Sequence, residues 1–409
     1  VYLWHIGDSS DRVKSVWNAS PPGVPIEGTA RIPEHNAFRS RPVTDRMHQS
    51  VEMALDAAFP GRTVVDVESA GPSWNGGNET VSVVFADGRH AYLKTAVDGA
   101  GHRLDREAAT LAYLRAHRSL PVPATLAVET SGPVPYLATA PAPGQSVDER
   151  FETAGPDTQE WLLRQVGRAV AALHAVRFDD HGTIRGRGET VGRGETVDRR
   201  ETVGRGTPAE SNDAVESPSA RPGLELSIAP WPDVLLETVE QTREIATTDR
   251  LDRHFDAVVD CIERRRLLLE DAPAALLHGD VTKPNAFVVD GQSGASAGDI
   301  GLLDWELAHV GDPSRDLVRA RDQLCNGFDS EGPDRLTDAV LDGYRDRAGG
   351  LPAGFEVREP IYRVVRVLGR SGFLDQWVPY LGEPIEALVD RIDAELDSRL
   401  TAVRRETGE

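Results

Sequence analysis

The chain has 409 residues, a formal net charge of −21 and two cysteines, Cys261 and Cys325. That length suits two or three ordinary domains or one large two-lobed enzyme, while the acidic balance excludes the basic face of a nucleic-acid-binding protein. Two cysteines in helix-like contexts exclude a disulfide framework, and no apolar run reaches the roughly eighteen residues of a membrane span, so a cytoplasmic protein without membrane partners is expected.

Residues 1–46 lack sustained periodicity and carry scattered proline and glycine. They are expected to form a dispensable extension, with the functional protein starting near Met47. From there "MHQSVEMALDAAF" sets Val51, Leu55 and Phe59 at helical spacing. Strands are expected over "TVVDVES", "TVSVVFAD" and "HAYLKTAV", the last two joined by an Asp-Gly hairpin signal. A helix over "LDREAATLAYLRAH" and strands near "TLAVETSG" and "PYLATA" complete a small antiparallel sheet with one inserted helix, residues 47–143.

After "APAPGQS" the pattern turns to long helices over residues 144–409. Leu162, Val166, Ala169 and Leu173 line one helix face; Ile385, Leu388, Ile392, Leu396 and Leu400 line the last helix. A hexapeptide repeat over residues 187–206 interrupts them, with one valine per unit and too few copies to bury a core. Residues 183–223 are therefore expected to be a disordered surface insertion.

The chemistry concentrates in "LLHGDVTKPNAFVVD" and "GLLDWE". A carboxylate five residues before an asparagine, on a loop leaving a strand, suits phosphoryl transfer. Asp280 would accept a hydroxyl proton, and the Asn285 carboxamide oxygen would bind Mg²⁺. A second carboxylate must hold the metal that bridges the nucleotide phosphates. Asp304 follows the next strand, and the sequence between reads as a β-hairpin that returns it to Asn285.

This arrangement resembles the aminoglycoside phosphotransferase and choline kinase-like family. His278, Asp280 and Asn285 match its catalytic pattern His-x-Asp-x-x-x-x-Asn, and Asp304 in "LLDWE" matches its metal-binding aspartate. "GDPSRDL" is similar to the family's continuation, where the acidic residues support loop structure. The resemblance implies an α+β, two-lobed protein-kinase-like fold, with ATP and Mg²⁺ as cofactors and a small-molecule hydroxyl (aminoglycoside-, choline- or sugar-like) as acceptor. It also implies that Lys94 binds the phosphates and is placed by Glu107. The connection "GPSWNGGNET" becomes the phosphate-covering loop, with Ser73, Gly76, Gly77 and Asn78, and Thr139, Ala140 and Pro141 offer backbone groups to adenine.

Lysine supplies only three of the 45 lysine and arginine residues, Lys14, Lys94 and Lys283. Acidic excess with so little lysine resembles proteins of a salt-rich cytoplasm, since a Debye length of about 3 Å at molar salt weakens repulsion among carboxylates. Two of the three lysines nevertheless fall within the kinase motifs. Lys283 has two readings: it reaches the γ-phosphate or it only covers the loop. His278 reads as a structural residue bonding the loop backbone. Two rival functions stay open, a nucleotide-binding pseudokinase and a protein kinase; "GDPSRDL" directly after Asp304 leaves the latter little room for an activation segment.

Overall fold

The computed structural model describes residues 45–71, 77–97, 99–117, 119–189, 191, 223–291, 298–328 and 330–406. Alternation builds the first sheet: Val81, Val83 and Phe85 are buried, while Ser82 and Val84 between them are only half-buried. Helix α1 (Asp45–Ala58) covers this apolar face through Val51, Ala54 and Leu55. Strands β1 (Val64–Ser69), β2 (Asn78–Phe85) and β3 (His90–Ala96) follow, then α2 (His102–His117), β4 (Thr125–Glu129) and β5 (Tyr136–Thr139). The five strands are antiparallel in the order β1-β2-β3-β5-β4. Of the expected N-terminal extension, residues 1–44 lie outside the described residues.

The second lobe opens with β6 (Gly144–Ser146), α3 (Val147–Thr153) and the long α4 (Pro156–His174). Next come β7 (Gly182–Gly188), β8 (Gly223–Ile228), α5 (Trp231–Glu244), α6 (Asp252–Arg264) and α7 (Arg266–Glu270). Short strands β9 (Ala275–Leu277), β10 (Ala286–Val289), β11 (Ile300–Leu302) and β12 (His309–Gly311) carry the loops of interest. Helices α8 (Pro313–Cys325), α9 (Asp334–Ala348), α10 (Phe355–Leu368), α11 (Leu374–Leu381) and α12 (Ile385–Glu406) close the chain. Among the described residues no helix is long and apolar enough to cross a membrane.

The insertion expected from residue 183 begins too early. Residues 182–188 form β7, which pairs with both β8 and β12. The segment "GTIRGRG" is poor in apolar side chains, so hydrogen bonding on both edges and the single buried anchor Ile184 hold it. The predicted end is also corrected, since Gly223 begins β8. Residues 192–222, with most of the hexapeptide repeat, lie outside the described residues.

Helices α4 and α9 pack with their backbones in contact. A Cβ on Gly167 would stand 2.1 Å from the Val340 carbonyl oxygen, and one on Gly343 would stand 1.9 Å from that of Arg164. Any larger residue at either position forces the helices apart. The α8 end of the lobe is fixed by a buried polar network. Asp312 caps α8 by accepting from the Ser314 amide (2.9 Å), and it also accepts from Arg358 Nε and Tyr362 Oη (both 2.6 Å). Trp231 Nε1 donates to the same tyrosine oxygen (2.8 Å).

Candidate active site

The loop after β9 is held by its own backbone. Gly279 has φ +82°, where a Cβ would meet the Leu307 carbonyl oxygen at 2.6 Å, so glycine is required. Asp316, from the first turn of α8, accepts from the backbone amides of His278 (3.0 Å) and Gly279 (2.8 Å) and pairs with His174 Nε2 (3.1 Å). Burial pushes the Asp316 carboxyl up, but these bonds prevail and hold it well below the usual carboxylate range.

His278 is fully buried against Trp305, with ring centroids 4.4 Å apart. Its Nε2 faces the Leu303 carbonyl oxygen (2.8 Å), which can only accept; its Nδ1 faces the Asp280 amide (3.1 Å), which can only donate. The two contacts dictate the neutral Nε2–H tautomer, in keeping with burial lowering the imidazole's pKa. This histidine ties the Asp280 loop to the strand that delivers Asp304, as a structural part.

The predicted hairpin is present. β10 and β11 pair antiparallel, Ala286 with Leu302 and Val288 with Ile300, and the Leu303 amide donates to the Asn285 carbonyl (2.8 Å). Asn285 is thereby brought beside Asp280, donating Nδ2 to the Asp280 carbonyl oxygen (3.1 Å) and to Oδ2 (3.3 Å). Its Oδ1 is buried and has no hydrogen-bond partner among the described residues. A buried carboxamide oxygen in that state fits a hard cation, whose preferred ligands are oxygens. Asp304 is the one non-glycine among the described residues with positive φ (63°), a strained backbone typical of functional positions.

Lys94 reaches across from β3 into a set of three carboxylates. Its Nζ lies 2.9 Å from Glu107 Oε2, 2.6 Å from Asp304 Oδ1 and 2.8 Å from Glu306 Oε2. Glu107, on α2, also accepts from the Trp305 amide (3.4 Å). Burial pushes the Glu107 carboxyl up to about 6, with Lys94 opposing and the other two carboxylates adding to the rise. Burial acts upward on Asp304 as well, yet Lys94 outweighs it and the carboxyl sits below its ordinary value.

Asp280 has its two oxygens facing opposite ways. Oδ2 faces Asn285, while Oδ1 accepts from Arg319 Nη2 (3.0 Å) and Gln323 Nε2 (2.6 Å), one turn apart on α8. Burial pushes the carboxyl up, and the guanidinium and amide more than offset it, leaving the pKa lowered.

The remaining expected residues are placed unequally. Thr139 and Ala140 line a cleft between the lobes, with Tyr92, Glu107, Ala142 and Asp304. The Ala140 amide already donates to the Ala124 carbonyl (2.8 Å), and Pro141 has no N–H. Of the backbone groups expected to face adenine, residues 140 and 141 therefore have only their carbonyls to offer. Asn78 points its Nδ2 at Glu306 Oε2 (2.7 Å), and the Gly77 carbonyl accepts from the Val97 amide (3.0 Å). Ser73 and Gly76 lie outside the described residues. Lys283 stacks over Phe151 of α3, Nζ 4.4 Å from the ring centroid, and burial lowers its pKa with Asp148 opposing. Of its two readings, this contact matches covering the loop.

Glu306, Arg319 and Gln323 were not anticipated. Glu306 flanks the buried Trp305 on the far side from Asp304, a visible signal in "DWE". The i,i+4 spacing of Arg319 and Gln323 says only that they share a helix face, and no spacing tells which loop that face meets.

A five-stranded antiparallel lobe set over a helical lobe, with a buried lysine meeting the carboxylates of the lower loops, defines a phosphotransferase of the two-lobed protein-kinase-like class. The chain belongs to the phosphotransferase enzyme family, whose model matches residues 72–357, and it is a small-molecule kinase of that family. Its fold is similar to that of the Plasmodium vivax ethanolamine kinase (10% identity, TM-score 0.51, covering 89% of this chain and 90% of that one). It is also similar to APH(2")-IIia in its complex with GDP and kanamycin (12% identity, TM-score 0.51, covering 86% and 98%). No curated protein matches it in sequence.

Proposed function

We propose that the protein transfers the γ-phosphoryl group of ATP to a hydroxyl of a small molecule, with Mg²⁺ required. The observation that carries this is the partnerless buried Oδ1 of Asn285, a residue that bonds Asp280 and whose backbone is tied to Leu303, next to the strained Asp304. Asn285 and Asp304 would hold the metal, which supplies charge neutralisation between the phosphates. Asp280 orients the acceptor hydroxyl and takes its proton; a lowered pKa keeps it ionised at neutral pH. Lys94, placed by Glu107, binds the phosphates, and the cleft beside Thr139, Ala140 and Ala142 takes the adenine. We divide the lobes near residue 143, where β6 leaves the first sheet to pair with β10. A protein-kinase activation segment has no room here, because α8 starts at Pro313, nine residues after Asp304.

The test is ADP release from Mg·ATP across a panel of hydroxylated metabolites, for the wild type and Asp280→Ala. Acceptor-dependent turnover lost in the variant supports the assignment. Nucleotide binding without turnover of any acceptor overturns it in favour of a pseudokinase.

A further inference from the structure

The face of α8 that meets Asp280 carries arginine. Arg319 sits directly on Asp280 Oδ1 at 3.0 Å, with its side chain 26% exposed. One turn on, the single carboxylate of Asp322 serves two guanidiniums, Arg366 Nε (2.7 Å) and Arg370 Nη2 (2.8 Å). Arg370 also reaches Glu395 (3.5 Å), which Arg399 shares (2.9 Å). Arg319 and Asp322, three residues apart, share a face of α8, so the guanidinium on Asp280 and the Arg366 guanidinium on Asp322 are set along one face. A second, small cleft opens along α8 on Arg321, Asp322, Asn326, Arg363, Arg366 and Arg399. Glu359 pairs with Arg321 and Arg363, and Glu331 with Arg363.

Arg363, Arg370 and Arg399 are each shared between two carboxylates, and the arginines of this cluster outnumber its carboxylates, Asp280 included, by one. This small local excess of positive charge occurs in a chain of net charge −21, and one of its arginines, Arg319, lies on the proposed base. A cationic acceptor at Asp280 would lie against Arg319, and like charges at short range suppress binding. An anion faces the opposite balance. It can take the Arg319 guanidinium in the forked geometry that carboxylates and phosphates favour, releasing the oxygen that Arg319 covers.

We propose that the hydroxyl acceptor is a small anion, a polyol or hydroxy acid bearing a carboxylate or phosphate, which draws Arg319 away from Asp280 and rests toward Arg366. This rests on the phosphotransferase reading of Asp280. In the reaction the acceptor oxygen bonds to the γ-phosphorus as the bond to the β,γ-bridging oxygen breaks. The hydroxyl proton passes to Asp280, and ADP leaves with the electron pair. Binding of the correct acceptor thus uncovers the base that it needs.

The experiment uses the full chain with gluconate and glucose 6-phosphate as anionic probes, glucose as the neutral one, and choline and kanamycin as cationic ones. Binding is read by titration calorimetry and turnover by ADP release from Mg·ATP. One or both anions should react with kcat/KM at least about tenfold above glucose and about a hundredfold above the cations. The gluconate and glucose 6-phosphate arms separate carboxylate from phosphate recognition. Arg366→Gln should raise the KM for the reactive anion about tenfold with the KM for ATP within about twofold, and Arg366→Lys should restore much of the loss. Preferred turnover of glucose, choline or kanamycin overturns the anion assignment and leaves the kinase standing. Failure of both anions to bind or react also overturns it. Equal ADP release by wild type and Asp280→Ala overturns the phosphotransferase reading, and the anion assignment with it.

Discussion

Lys94 and Asp304, 210 positions apart in sequence, meet at 2.6 Å across the two lobes. The proposed phosphate cation and the proposed metal carboxylate therefore neutralise each other, and nucleotide with its metal must compete with that ion pair. Asp304→Asn should lower turnover at least about a hundredfold by removing a metal ligand, without unfolding the protein, because Lys94 keeps Glu107 and Glu306. Initial-rate assays with a melting curve check both halves. Removal of Mg²⁺ by EDTA should abolish turnover reversibly.

Glu107 supplies a stability test with a definite sign. Its folded-state pKa is raised to about 6, above an ordinary value of 4.5, so the folded protein binds the proton more tightly. The group's contribution is full below the ordinary value and is lost as pH rises through about 6. Glu107→Gln should match the wild type in Tm near pH 4.5 and exceed it by a few degrees above pH 6, while losing activity. A pH series of melting curves on both proteins decides.

Asp280 shifts the other way. Its carboxyl lies below the ordinary 3.8, so the ionised base persists into acid and is lost only as pH falls through the folded value. Arg319→Met removes the guanidinium at 3.0 Å and should move the acid limb of the kcat/KM profile, which reports the free enzyme, to higher pH. An unmoved limb would show that Arg319 does not govern the base.

Gly279→Ala should cost about 1–3 kcal/mol, since the position combines positive φ with a carbonyl oxygen 2.6 Å from the new Cβ. The residue adjoins Asp280, so kcat should fall with stability. Denaturant titration and steady-state rates measure the two effects separately.

Much of this architecture was legible from local pattern. Alternating apolar residues marked the first sheet, and the stripe Leu388, Ile392, Leu396 and Leu400 marked the buried face of α12. The Asp280, Asn285 and Asp304 grouping was readable because a hairpin brings residues together through nearest-neighbour pairing. Arg319 on Asp280 was not readable, since the contact depends on how α8 docks onto a loop 39 residues earlier. Glu306 stood in the quoted "LLDWE" but drew no role there, because its role appears only when Lys94 and Asn78 arrive from the other lobe. β7 was misplaced because its strand order comes from partners on both edges and not from its side chains.

The glycine seam between α4 and α9 has an evolutionary consequence. With Gly167 and Gly343 set against carbonyl oxygens, that interface has no side-chain volume to trade, so most substitutions there break it instead of adjusting it. Divergence in what the enzyme accepts would then fall on surfaces that do carry side-chain volume, the arginine-bearing face of α8 in the proposed acceptor site among them.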